Sequence, residues 1–323
     1  MGTFTITSKS HDEWLKSREL GIGSSEVATV LGLNPSDTPY QLWLRKTGQV
    51  PYVEQENNLM RMGHILEDAI ARLCSEEVGL DIVKNSSLEF VVVDKAKPFM
   101  RVSPDRYAYP IGAKHSNDNR VIIECKSTQK GVDADNISKY WFCQVVYQLH
   151  VTRIPMAYIA WLIQGRDFGY KPIYYEKAKD FAEVMAEEVE RFWVDCVVGG
   201  KEPPLVNIQD VLIKFPKQTD GKKVYADDEL INVWSELKDT NADIKRLQTR
   251  KEELETSLKA SMLDAERLVI APADGEVEEK TLCTWKAVNA SPKFDANALK
   301  TAEPEVYAKY LRNVEGGRRF AVK

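Results

Sequence analysis

The stretch VIIECKST at residues 121–128 sets Glu124 and Lys126 two positions apart behind three β-branched apolar residues. In an extended strand such residues share a face, so a carboxylate and an ammonium project together while Ile123 and Cys125 point to the opposite layer. A strand this apolar is built for burial, and a buried charge costs on the order of several kcal/mol unless compensated. Upstream, Pro104 in Ser103-Pro104-Asp105 breaks a strand and leaves Asp105 at its end. Asp105 and Glu124 offer the hard oxygen ligands that Mg²⁺ prefers. Lys126 beside them would orient or activate a water and offset charge on a scissile phosphate. Together they have the layout of a metal-dependent phosphodiesterase site. The competing reading makes Glu124 and Lys126 exposed charges on an edge strand, and the Val-Ile-Ile run argues against it.

Three further groups strengthen the chemical reading. Glu67 lies just outside the apolar stripe of its helix, from where it would reach a metal. Gln144 sits among Trp141, Phe142, Val145 and Val146, where an amide must find polar partners. Trp14, Arg18 and Ser25 place a guanidinium just before the GIGSS turn and an expected helix start, a setting that favours anions.

The elements expected to position these groups are short helices over 11–20 and 24–31, the second capped by Ser24 or Ser25, then helices over 38–47 and 62–78. Strands are expected over 88–93, 99–103 and 121–126, a buried helix over 138–152, strands over 156–164 and 170–176, and an amphipathic helix over 177–198. Together they make an α/β or α+β core over 1–202, a central mixed sheet flanked by helices. Pro203-Pro204 and PKQTDGKK mark a linker over 203–226, and 227–323 forms a helical arm with a small strand-containing extension. The arm carries an apolar seam from Leu230 to Leu258. Because Asn241 and Lys251 interrupt it, the arm is expected to pack on its own core and not in a coiled coil.

Net charge is −5 over 323 residues, yet it is unevenly spread. Residues 1–175 hold 20 basic and 20 acidic side chains, 176–279 hold 15 and 25, and 280–323 hold 9 and 4. A basic groove is therefore compatible with an acidic total. The five cysteines are scattered and the four histidines lack zinc spacing, which suits reduced thiols. With neither a membrane span nor a signal peptide visible, the expected setting is cytoplasmic.

At these residues the chain resembles the phage lambda-type exonucleases, the YqaJ-like viral recombinase family of the PD-(D/E)xK nucleases. The likeness is carried by Trp14-x3-Arg18-x2-GIGSSEV, the Gly63 to Glu67 segment, Ser103-Pro-Asp105, Glu124-Cys-Lys126 and QVVYQLHVTR at 144–153. It implies a restriction-endonuclease-like core. It further implies that Asp105, Glu124 and the Cys125 carbonyl ligate Mg²⁺, with Mn²⁺ able to substitute and Glu67 contributing directly or through water. Lys126 and Gln144 would position the attacking water, and Arg18 and Ser25 would hold a 5′-terminal phosphate. The implied activity is 5′→3′ digestion of one strand of duplex DNA by a ring-shaped homotrimer, bacterial or phage-encoded, leaving a 3′ overhang for a single-strand annealing protein. The family usually has Gly after the motif Asp; here Arg106 stands there, either tolerated by the turn or touching the DNA backbone. A repair or restriction endonuclease shares the same metal site, and a non-catalytic DNA-end-binding protein would dispense with it.

Overall fold

Residues 121–125, apolar except for Glu124, dictate the middle of the protein: all five are buried in the third strand of a five-stranded sheet. The computed structural model describes residues 2–8, 10–51, 58–83, 90–272, 279–312 and 316–323. In chain order, β1 (Thr3–Thr7) precedes α1 (His11–Glu19), α2 (Val27–Val30), α3 (Pro39–Lys46) and α4 (Asn58–Val78). Then come β2 (Leu80–Val83), β3 (Phe90–Asp94), β4 (Arg101–Val102), β5 (Arg106–Pro110) and β6 (Val121–Thr128). These are followed by α5 (Lys139–Thr152), β7 (Met156–Ile163), β8 (Asp167–Tyr174), α6 (Tyr175–Arg191) with a π-helical turn at Phe192–Val198, and α7 (Ile208–Lys214). Beyond them lie α8 (Asp228–Met262), β9 (Arg267–Ile270), β10 (Lys280–Thr284), α9 (Ala296–Ala302) and α10 (Pro304–Tyr310).

The central sheet runs β2-β5-β6-β7-β8; β6 and β7 are parallel and the other neighbours antiparallel. The parallel pair needs a crossover, and α5 supplies it. Side chains alternate across β6 as the pleat requires. Ile122 enters a core shared with Val145 and Leu149 of α5 and Ala182 of α6. Ile123 and Cys125 enter a second core with Ile70 and Cys74 of α4. Helices on both faces of a mixed sheet are thus what the sequence led us to expect.

Several details differ. The strands expected near 88–93 and 99–103 do not join the central sheet; β3 and β4 pair with β1 in a separate three-stranded sheet, and residues 88 and 89 lie outside the described ones. The central sheet instead recruits β2 and β5, which directly follow Gly79 and the Ser-Pro-Asp turn. Those breakers were read as ends of elements, and here they are also starts. α2 spans only Val27–Val30 with Glu26 at its N-cap, so neither Ser24 nor Ser25 caps it.

The chain divides into two units, Met1–Lys214 and Phe215–Lys323. The stretch expected as linker from 203 is folded as far as Lys214, because Asp210 is fully buried. Its Oδ1 accepts from Thr38 Oγ1 and Gln41 Nε2, each at 2.8 Å, and its Oδ2 accepts from the Val206 N–H at 3.0 Å. These three bonds hold the carboxyl below its usual range against the opposing effect of burial. In the second unit α8 is not packed on a core of its own; Met262 is its one buried residue. α9 and α10 were not anticipated, since residues 281–323 read as strands and turns. No helix among the described residues is long and apolar enough to cross a membrane.

Gly21 joins the GIGSS turn to the small sheet. The Ile22 N–H donates to Phe99 O at 2.7 Å and the Arg101 N–H to Ile22 O at 3.2 Å. A Cβ on Gly21 would sit 2.3 Å from Phe99 O, closer than backbone atoms permit. Gly21→Ala is therefore expected to cost about 1–3 kcal/mol, as overpacking does. Gly63→Ala, where nothing lies within 4 Å, should stabilise by roughly 0.5–1 kcal/mol through helix propensity. Urea denaturation of both variants checks this; equal midpoints would refute the close approach.

Candidate active site

Glu124 is 1% exposed, although a carboxylate this deep must be compensated. Its neighbours do so. Lys126 Nζ donates to Glu124 Oε1 at 2.6 Å and to Gln144 Oε1 at 3.0 Å, and Gln144 Nε2 donates to Glu124 Oε1 at 2.5 Å. Gln148 Nε2 donates to the other oxygen, Oε2, at 2.8 Å. Gln144 and Gln148 stand four residues apart on α5, so both amides face β6. Burial alone would pull the Lys126 ammonium down, but Glu124 and Asp105 hold it well above its usual value.

Asp105 precedes β5 at the point where the β5–β6 ladder stops, at Arg106 opposite Ile123. β6 continues past that point, and the Cys125 N–H turns to Asp105 Oδ2 at 2.8 Å in place of a strand partner. Within a strand, one residue's N–H and C=O point to the same side, so the Cys125 carbonyl faces the side of Asp105. Burial, with Glu124 close by, pushes Asp105 well above the usual carboxylate range. Glu67 comes from α4 on the other side of the sheet and is raised mainly by burial. Arg106 Nη1 lies 3.7 Å from Glu67 Oε2, and His64 Nδ1 lies 3.9 Å from its Oε1.

These groups fit a divalent cation on donor chemistry and charge. Glu67, Asp105 and Glu124 carry three formal negative charges and Lys126 one positive, while Arg106 donates to Asp68 Oδ1 at 2.6 Å. The balance is a deficit of two positive charges around hard oxygens. Among the described residues no three His, Cys, Asp or Glu side chains converge in ligating geometry; the oxygens that would hold an ion here are those of Asp105, Glu124 and the Cys125 carbonyl, with Glu67 raised by burial nearby. Arg106 itself is held by Asp68 and donates to Asp105 O at 2.6 Å. Its backbone is not left-handed, the non-glycine positive φ values falling at Arg153, Gln164 and Leu263. Arginine after the motif Asp thus costs no backbone strain.

The second expected group assembles next to the first. Arg18 Cζ lies 4.9 Å over the Trp14 ring, and Arg18 Nη2 donates to Ser25 Oγ at 3.0 Å. A cavity of about 100 Å³ is lined by Trp14, Arg18, Ser24, Ser25, Ser103 and Gln144. Gln144 thus belongs to both groups. The helix-start argument fails, however, since α2 is a single turn and its N-cap is a buried carboxylate. Glu26 Oε2 accepts from the Gly23 N–H at 2.8 Å and pairs with the buried Lys46 Nζ at 2.8 Å. Lys46 also donates to Arg18 O at 2.6 Å. With Arg18 4.0 Å from Glu26 Oε1, two cations face one carboxylate and the cluster remains positive.

Sequence reasoning missed Gln148, Glu26, Lys46 and Tyr140, whose OH donates to Ser25 O at 2.9 Å. Two glutamines at i and i+4 on an otherwise apolar helix were a readable signal for Gln148. Its Nε2 also lies 3.4 Å from Ser24 Oγ, and its buried Oε1 has no hydrogen-bond partner. Replacing Gln148 by Leu deletes a bond to a charged acceptor, so a loss of about 1.5–3 kcal/mol is expected. Chemical denaturation in chelator checks it; wild-type stability would show that Gln148 does not support Glu124.

A family model described as the YqaJ-like viral recombinase domain matches residues 13–155. The uncharacterized protein YqaJ of Bacillus subtilis (strain 168) is 31% identical over 327 residues, covering 97% of this chain and 94% of that protein. Among solved structures, an alkaline exonuclease (LHK-Exo) from Laribacter hongkongensis superposes with a TM-score of 0.44 at 15% identity, over 57% of this chain and 91% of that one. A phage-related exonuclease from Haemophilus somnus 129PT gives a TM-score of 0.39 at 13% identity, over 56% and 96%. With near-complete coverage of its Bacillus relative and the family's motif residues gathered on β6 and α5, the chain belongs to the YqaJ-like viral recombinase family.

Proposed function

We propose that the protein is a Mg²⁺-dependent 5′→3′ exonuclease acting on one strand of linear duplex DNA. The observation that carries this reading is the double membership of Gln144, which bonds Glu124 and Lys126 and also lines the Arg18–Ser25 cavity. An anion held by Arg18 would thereby lie beside the carboxylates, as the end-binding of an exonuclease requires and an endonuclease does not.

Asp105, Glu124 and the Cys125 carbonyl would hold the ion, with Glu67 adding negative charge from α4. Bound there, Mg²⁺ supplies a Lewis acid for the scissile phosphate and an acidified water. Lys126, bonded to Glu124 and Gln144, would orient the attacking water and offset charge on the scissile phosphate. Gln144 orients Lys126. Arg18, stacked on Trp14 and anchored through Lys46 and Glu26, would take the terminal 5′-phosphate in a fixed orientation. The family likeness supports a homotrimeric ring and a single-strand annealing protein as partner for the 3′ overhang.

End-labelled linear duplex with Mg²⁺ should release 5′ mononucleotides, and closed circles should survive. Lys126→Ala should lower turnover by about 10³-fold or more, the scale of losing one preorganised charge, while duplex binding in Ca²⁺ persists. Arg18→Ala should chiefly erase the preference for 5′-phosphorylated over 5′-hydroxyl ends. Retained activity in the first variant, or retained preference in the second, would remove that residue from the mechanism.

A further inference from the structure

α8 runs for 35 residues, about 52 Å at ~1.5 Å per residue, and its apolar side is uncovered. Leu230 is 49% exposed, Ile244 47%, Leu247 60% and Leu254 50%. Most helical stability in proteins comes from packing an apolar face, and an exposed apolar strip of this length marks an interaction site.

The spacing identifies the kind of interaction. Leu230, Leu237, Ile244, Lys251 and Leu258 recur every seventh residue. Val233, Thr240, Leu247, Leu254 and Ser261 recur at the complementary position three residues on. The pattern keeps its phase over five heptads, with seven of its ten positions apolar, and three to four or so heptads already argue for a coiled coil. Asn241, which seemed to interrupt the seam, lies beside it. Within the seam the polar members are Thr240, Lys251 and Ser261.

We infer that α8 pairs antiparallel with α8 of a second copy of this chain, the two helices crossing between Lys245 and Arg246. In that register Ile244 meets Leu247 of the other copy, Leu237 meets Leu254, and Val233 meets Leu258. Thr240 falls opposite Lys251, so the two polar interior positions face one another and no apolar layer is broken by a charge. Ser261 meets Leu230 at the frayed ends. The flanking positions agree: Asp243 of each copy faces Arg250 of the other, and two-fold symmetry repeats the pair. All four side chains are free to turn toward a partner, being bonded only locally on the exposed helix surface, Asp243 to Arg246 and Arg250 to Glu253. Parallel pairing is disfavoured, because it stacks Lys251 on Lys251 inside the seam and sets Asp243 against the neutral Gln248.

Sedimentation equilibrium of the full chain tests this, with circular dichroism to confirm unchanged fold. A two-fold pairing of α8 joins two of the proposed three-fold rings into a six-copy assembly, so the double variant Leu237→Glu/Leu254→Glu should halve the mass relative to wild type, leaving single rings. Asp243→Arg and Arg250→Asp should each weaken the association about five- to tenfold by placing like charges opposite, and the combined charge swap should restore it. Identical masses for wild type and the double Glu variant would overturn the proposal and leave the strip to a different protein. Weakening by Arg250→Asp alone, without rescue by Asp243→Arg, would overturn the antiparallel register in favour of a parallel one, where Arg250 meets Glu255.

Discussion

The structure of the first unit turns on one constraint: the buried Glu124 side chain must be fully compensated and held in place inside the central sheet. A carboxylate that is 1% exposed is tolerated only with full compensation, and its two oxygens take three donors, from Lys126, Gln144 and Gln148. That requirement fixes α5 over β6 with the phase that turns residues 144 and 148 inward. It also fixes β6 at the centre of the sheet, since an edge position would let water do the same work and would not need two amides. The parallel β6–β7 pair follows, because the helix that supplies the amides is the crossover between them.

The same helix then ties the end-binding turn to the carboxylates. Tyr140 OH reaches Ser25 O, and Tyr147 OH reaches Ile22 O at 3.2 Å. Residues 22–25 are therefore pinned from one side by α5 and from the other by β4, through the contact that Gly21 makes possible. Arg18 is placed by a buried ion pair, Lys46 with Glu26, whose geometry survives because backbone groups of Gly23 and Arg18 complete it. Burial lowers the Lys46 ammonium and Glu26 opposes that, so the pair depends on both members. The proposed phosphate site is thus a rigid one, built from interlocked bonds and not from a helix dipole.

Much of this was legible in the sequence where one residue type admits one explanation. The Val-Ile-Ile run before Glu124 signalled burial, and Asp105, Glu124, Lys126 and Gln144 meet as their spacing suggested. Glu67 was legible only as near, because a residue beside an apolar stripe could face either side of α4. What failed were inferences from breakers. Gly79 and Pro104 were read as ends of elements, yet each is followed by a strand within two residues, so β2 and β5 went unseen. Ser24 and Ser25 looked like caps because the helix was expected from residue 24, three positions before it starts; Glu26 stands at the N-cap and its side chain bonds Lys46 and the Gly23 N–H. Asn241 looked like a seam breaker, yet it lies beside the seven-residue positions that start at Leu230 and Val233.

Arg106 shows how one departure from a family pattern can be absorbed. Glycine at that position leaves Asp68 and Glu67 facing the carboxylate pair with one cation, Lys126, to balance them. The guanidinium answers Asp68 directly, approaches Glu67, and caps the Asp105 carbonyl, all from extended backbone that any residue adopts. Negative charge at the corner is thereby reduced. The remaining deficit of two positive charges belongs to the carboxylates nearest β6. Arginine here answers the carboxylates of α4 and leaves the compensation of Glu124 to Lys126, Gln144 and Gln148.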